Sequence, residues 1–180
     1  RENGYHDVRM VMQSIYLYDE VKIEKTEAPG ITLASNLSFL PTGEGNIAYK
    51  AAKLLMEEFH IPAGVRITLN KHIPVAAGLA GGSSNAAAVL FGMNRMFRLG
   101  LKQEELMARG VRLGADVPYC IMRGTVLAEG IGEELSVLPA MPKCTVLIAK
   151  PPVSVSTKVV YEALDAKEIA EHPDIDGIID

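Results

Sequence analysis

The sequence predicts a mixed α+β fold, and three stretches carry that prediction. Ile47, Ala51, Leu54, Leu55 and Phe59 recur at the i, i+4, i+7, i+8 spacing of a single helix face. Val65, Ile67 and Leu69 alternate with Arg66, Thr68 and Asn70, the two-residue period of a half-buried strand. Between Ile73 and Leu90 an apolar strand end gives way to Gly78, Gly81 and Gly82, then Ser83 and Ser84, then an alanine-rich helical run. Helical and extended segments mix along the chain without any repeat or low-complexity linker.

Taken in order, Val8 to Lys25 is rich in Val, Ile, Tyr and Met and alternates around Val21 and Ile23. It reads as extended strand with a turn near Asp19-Glu20. Pro29-Gly30 introduces a short strand from Ile31 to Ala34. Asn46 stands where a helix cap belongs, because its side-chain oxygen can accept from the free N–H groups of a first turn. The amphipathic helix that follows ends at His60-Ile61-Pro62-Ala63-Gly64. The glycine segment feeds a helix from about Ser84 to Phe97, stopped by Gly100 in the manner of a C-terminal glycine. A further helix, from about Lys102 to Leu113, is closed by Gly114. Gly124 to Leu138 reads as strand, turn and strand around Gly130-Ile131-Gly132. Cys144 to Ala149 reads as a buried strand before Pro151-Pro152, and Ser154 or Ser156 as the cap of a helix reaching Leu164. The methionines follow apolar positions and read as core.

At 180 residues, 48% hydrophobic and 22% charged, the chain can bury a core of its own. Its net charge of −4, with no stripe of Lys and Arg, excludes a surface that tracks nucleic-acid phosphates. Cys120 and Cys144 lack the spacing of a disulfide framework or a zinc site, which fits a reducing cytoplasm. Apolar runs are too short to span a bilayer, so no membrane partner is expected. The chain opens at Arg1 without an initiator Met and stops in mid-pattern at Asp180, and is expected to be an internal piece of a longer protein.

The chemistry concentrates in the glycine segment. A strand, a glycine-rich loop and a helix N-terminus bring free backbone N–H groups and the positive end of a helix dipole to one place, a physical recipe for holding phosphate. Gly78, Gly81 and Gly82 can take positive φ and lack a Cβ, so an anion can approach the main chain closely. Ser83 and Ser84 add hydroxyls that can cap N–H groups, touch phosphate oxygens or help hold magnesium. The segment ends without the Gly-Lys-Ser/Thr of the common phosphate-binding loop, and it is not Gly-x-Gly-x-x-Gly.

Pro74-Val75-Ala76-Ala77-Gly78-Leu79-Ala80-Gly81-Gly82-Ser83-Ser84-Asn85-Ala86-Ala87 resembles the phosphate loop of the superfamily of galactokinase, homoserine kinase, mevalonate kinase and phosphomevalonate kinase. Four further blocks, in the same order, resemble the branch that phosphorylates 4-diphosphocytidyl-2-C-methyl-D-erythritol in the non-mevalonate isoprenoid pathway. They are Gly4-Tyr5-His6, Gly114-Ala115-Asp116-Val117-Pro118, Ala128-Glu129-Gly130-Ile131-Gly132-Glu133, and Pro151-Pro152-Val153-Ser154-Val155-Ser156-Thr157.

The resemblance implies an N-terminal domain like ribosomal protein S5 domain 2 over residues 1–140, with its first strands missing, and the beginning of a ferredoxin-like C-terminal domain over 141–180. It implies ATP as phosphoryl donor, Mg2+ as its counter-ion and a small cytidine diphosphate derivative as acceptor. Pro74, Gly78, Leu79, Ala80, Gly81, Gly82, Ser83 and Ser84 would wrap the ATP phosphates. Lys71 would lie against the nucleotide; by itself it could equally be a solvated charge at a strand end. Asn46 and Ile47 would contact adenine, although Asn46 alone is a helix cap. Asp116, by spacing a turn residue after Gly114, would accept or orient the proton of the acceptor hydroxyl. Tyr5 would stack on cytosine, His6 would hydrogen-bond its edge, and Tyr161 would cover the other face, while Ile131 and Thr157 would line the pocket. Tyr5-His6 alone could be an amphipathic pair near a strand, and Ile131 and Thr157 core and cap residues. The family's catalytic lysine and late glycine-rich motif would lie outside this chain, so the piece alone is expected to be inactive. Other readings are a different small-molecule kinase of the superfamily, or a non-catalytic nucleotide-binding module.

Overall fold

The computed structural model describes residues 6–151, 157–165 and 172–179. The chain divides into two compact units: Tyr16–Val75 with Ala80–Met122, and Arg1–Ile15 with Ala76–Leu79 and Arg123–Asp180.

In the first of these units the alternation of Val65, Ile67 and Leu69 builds the central strand, β4 (Gly64–Asn70), in which all three side chains are buried. Strand β2 (Glu20–Thr26) pairs with it antiparallel from Glu20↔Asn70 to Thr26↔Gly64, and β3 (Ile31–Ser35) pairs parallel from Ile31↔Val65 to Ser35↔Leu69. Parallel neighbours need a crossover. Helix α1 (Ile47–Glu58) supplies it and buries Ala48, Ala51, Ala52 and Leu55 completely. Asn46 caps it, with Oδ1 accepting from Ala48 N at 3.0 Å. Helix α2 (Gly81–Phe97) lies against α1 and β2, and its Ala86, Val89, Leu90 and Met93 meet Leu33, Leu55, Ile67 and Leu69 in one core. Helices α3 (Gln103–Val111) and α4 (Val117–Met122) close that core with Leu106 and Val117.

The second unit is a three-stranded antiparallel sheet in the order β1 (Met10–Gln13), β5 (Thr125–Glu129), β6 (Glu134–Val137). Helices α5 (Thr157–Asp165) and α6 (Ile175–Ile179) also belong to it.

Several expectations are corrected. Val8 to Lys25 forms two strands in different sheets, with Ser14 tied to Gly124 on one side and Asp19 tied to His72 and Ile73 on the other. Helix α2 begins at Gly81, three residues early, because Ser84 N already donates to Ala80 O at 2.8 Å. At its other end the C-cap is Arg98, left-handed at φ 53° and two positions before Gly100, which is also at positive φ, and Leu99 N donates to Asn94 O. Helix α4 was not foreseen: it is only six residues long, and Pro118 lies in its first turn, where a missing N–H costs no hydrogen bond. Cys144 to Ala149 has no regular structure and Leu147 is 92% exposed, since among the described residues no strand pairs with it. Met141 is exposed as well. The serine caps proposed for the last helix, Ser154 and Ser156, lie outside the described residues.

Close packing fixes one glycine. A Cβ on Gly64 would stand 1.8 Å from the Ala28 carbonyl oxygen, which is backbone and cannot swing aside. Gly64→Ala is therefore expected to destabilise the protein by about 3 kcal/mol, the upper range for overpacking, and a urea unfolding midpoint equal to that of the parent protein would contradict this.

Candidate functional site

The segment that connects β4 to α2 leaves its backbone bare. Helix α2 has 17 residues and no side chain caps its N-terminus; the residue before it, Ala80, is left-handed at φ 49°. Ala76 (φ 53°) and Gly78 (φ 68°) are left-handed too, whereas Gly81 and Gly82 are already helical. The expectation that all three glycines supply positive φ therefore holds for Gly78 alone, and two alanines take strained backbone in their place. Gly81 has a different reason. A Cβ there would stand 3.0 Å from Ile73 Cγ2 and 3.2 Å from Lys71 Nζ, so the first turn of α2 lies directly on the end of β4. The Ile47 side chain reaches to 3.9 Å of where a Gly82 Cβ would stand, which brings the first turns of α1 and α2 together. Ser84 Oγ donates to Gly81 O at 2.9 Å; Pro74, Gly78 and Gly82 are exposed, and Leu79, Ala80 and Ser83 half-buried.

Lys71 is not a solvated strand-end charge. Its side chain is 5% exposed and ion-paired with Asp19, itself 1% exposed. The ammonium also donates to Asn85 Oδ1 at 3.0 Å, and Asn85 Nδ2 donates to Asp19 at 2.9 Å. The other carboxylate oxygen of Asp19 accepts from His72 N at 2.7 Å and Ile73 N at 2.8 Å. Asn36 holds the Lys71 backbone from the opposite side, accepting from its N–H at 2.8 Å and donating to its carbonyl at 3.2 Å. Burial alone would raise the Asp19 pKa, but hydrogen bonds from Lys71, Ile73, His72 and Asn85 outweigh it and hold the carboxyl below its ordinary value. Sequence reasoning passed over Asp19 as a turn residue and Asn85 as one letter of a motif. An acid placed just before an apolar strand was the only available signal.

Asp116 stands at the head of α4, where its backbone carbonyl accepts from Cys120 N. Its carboxyl is pushed above the ordinary range by burial, and among the described residues no Lys or Arg forms an ion pair with it.

In the second unit the His6 ring stacks on Tyr161, with centroids 4.4 Å apart and planes 13° from parallel. Two rings that close touch directly and leave no room for a base between them. Ile131 sits in the β5–β6 turn, where its N–H donates to Glu133 Oε2 at 2.6 Å. Thr157 opens α5. Tyr5 lies outside the described residues.

Residues 46–124 match the GHMP kinases N terminal domain, a span that runs from the cap of α1 past Asp116. Over that span the chain is similar to the GHMP kinases. It is 58% identical over 180 residues to a protein of Lachnospira eligens, and 59% identical over the same length to one of Lachnoclostridium phytofermentans, both named 4-diphosphocytidyl-2-C-methyl-D-erythritol kinase. A solved structure of a 4-(cytidine 5'-diphospho)-2C-methyl-D-erythritol kinase superposes with a TM-score of 0.75 at 32% identity, covering 99% of this chain and 63% of that one. The chain spans 62% of the length of those two relatives. The α+β fold is thus shared with that solved structure.

The two carboxylates make opposite predictions. Asp19 has a lowered folded pKa, so its contribution to stability is complete above the ordinary carboxylate value of about 4 and is lost as pH falls through the folded value. Thermal melting of Asp19→Asn should show a flatter decline on that acid limb than the parent; parallel declines would contradict it. Asp116 has a raised folded pKa, so its ionisation costs stability as pH rises through and above the ordinary range. Asp116→Asn should melt higher than the parent at pH 7 and no higher near pH 3.

Proposed function

We propose that the protein is an ATP-dependent kinase that phosphorylates the 2-hydroxyl of 4-diphosphocytidyl-2-C-methyl-D-erythritol, releasing ADP, in the supply of isoprenoid precursors. The observation that carries this reading is the identity of more than half of all positions, over the whole chain, with proteins bearing that kinase's name. Residues 1–140 would form the nucleotide-binding domain and 141–180 the beginning of a second one.

Phosphoryl transfer needs the donor held, its charge offset and the acceptor oxygen aimed in line. The uncapped N-terminus of α2 offers backbone N–H groups and a helix dipole to the ATP phosphates, and the open backbone at Gly78 has no atom within 4 Å of where its Cβ would stand. Asn46 and Ile47, at the first turn of α1, would meet the adenine, and Lys71, its charge matched by Asp19, would lie against the nucleotide. Magnesium would arrive with the nucleotide and offset charge on the phosphate oxygens. Among the described residues no group of three or more His, Cys, Asp or Glu side chains could hold a metal. Such an ion keeps most of its waters and takes one or two protein oxygens beside phosphate, and the Ser83 and Ser84 hydroxyls would be such oxygens.

Asp116 would take or orient the proton of the acceptor hydroxyl. Burial that raises its pKa also raises its basicity, which favours proton acceptance once it is ionised. Tyr5 and Tyr161 would hold the two faces of the cytosine, and the stack between His6 and Tyr161 would have to part or shift if the base entered there. Ile131 and Thr157 would line the same pocket.

The test is ADP release by the full-length protein with magnesium-ATP, comparing the cytidine substrate with mevalonate and homoserine. Turnover with the cytidine substrate alone is expected; ATP binding without turnover of any of the three would overturn the reading. Asp116→Ala should lower kcat by about 100-fold or more, the scale of one positioned base, while nucleotide binding by calorimetry stays intact. Tyr5→Ala should instead raise KM for the cytidine substrate.

A further inference from the structure

We infer that Asp19 is a positioning residue for the nucleotide loop, acting through Lys71, His72, Ile73 and Asn85 to hold the two ends of that loop at a fixed separation. This rests on the proposal that the loop binds ATP, and assigns to a residue outside the loop the control of its shape.

The geometry points there because one carboxylate serves both ends at once. One of its oxygens accepts from the backbone of His72 and Ile73, at the start of the irregular stretch that follows β4. The other oxygen takes the Lys71 ammonium and the side-chain N–H of Asn85, which lies in the second turn of α2. Lys71 closes the triangle with its own bond to Asn85. Residues 74–80 are thus a span whose two ends share a single buried anchor. Such an anchor is stiff for three reasons: its side chains are nearly fully removed from water, its charges cancel, and Asn36 pins the Lys71 backbone from behind. The bare N–H groups of α2 keep their aim only while the helix start cannot slide along the end of β4, and Gly81 shows how close that contact is, with no room for even a methyl group without displacing Ile73 or Lys71. Binding a multiply charged phosphate chain against main-chain N–H groups depends on placement to a fraction of an ångström. Release of one end would spoil it without removing any group that touches ATP.

Asp19 is not among the residues proposed to touch ATP or the cytidine substrate, so a distinctive kinetic split follows. In the full-length protein, Asp19→Asn should raise KM and Kd for magnesium-ATP about 10-fold or more, leave KM for the cytidine substrate within twofold, and speed hydrogen exchange at the amides of His72 and Ile73. Asn85→Ala keeps the Asp19–Lys71 pair and frees only the α2 end. It should give the same split at about 3-fold, and it decides the matter if Asp19→Asn does not fold. Unchanged ATP affinity in a folded variant, or an equal rise in both KM values, would overturn the inference. The parent protein is measured alongside: if it fails to bind ATP at all, the proposed function has failed, whereas normal parent binding with insensitive variants refutes the positioning role alone.

Discussion

A carboxylate and an ammonium, Asp19 and Lys71, lie side by side almost wholly removed from water at the point where the central strand gives way to the glycine segment. Taking two charges out of water is expensive, and their attraction only roughly repays it, so such a pair adds little net stability. What it enforces is uniqueness. Any arrangement of β2 and β4 that parts the two groups leaves a buried charge alone, at a cost of about 3–5 kcal/mol. The remaining hydrogen bonds of Asp19 go to His72, Ile73 and Asn85, so that penalty is transmitted to both ends of the loop. The structure around the site follows from that one requirement.

Against this fixed frame the N-terminus of α2 is left deliberately poor in local stability. A missing N-cap side chain forgoes about 1 kcal/mol, and alanines at φ 53° and 49° each hold strained backbone, on the order of 1–3 kcal/mol. A free helix would fray under those terms. Here the loss is offset by the same helix's far end, where Ala86, Val89, Leu90 and Met93 are buried among Leu55, Ile67 and Leu69. The division of labour along α2 is physical: apolar burial in its later turns permits exposed polar backbone in its first.

Much of the fold was legible because it rests on periodicities that survive in one dimension. The face of α1, the alternation of β4 and the turn at Gly130-Ile131-Gly132 needed no partner to be read, since each records which side of an element is dry. The Asn46 cap was legible for a similar reason, as its hydrogen bond spans two residues. Elements that depend on a distant neighbour were misread. Cys144 to Ala149 has the composition of a buried strand and yet stays irregular and exposed, because strand character without a pairing edge satisfies no backbone hydrogen bond. Arg98 takes the left-handed cap that Gly100 seemed to offer, since the helix end is set by where Met93 and Phe97 must pack rather than by the nearest glycine.

For this protein the sequence by itself determined the α+β class, the position of the glycine segment between a strand and a helix, and the motifs that align it with the GHMP kinases. Those are local patterns or short spacings, and their physics acts between neighbours along the chain. Only the tertiary structure decided that Lys71 is buried instead of solvated, that Asp19 is its partner from 52 positions away, and that Asn85 joins them. A salt bridge across such a separation leaves no periodic trace, because its geometry exists only after β2, β4 and α2 have packed.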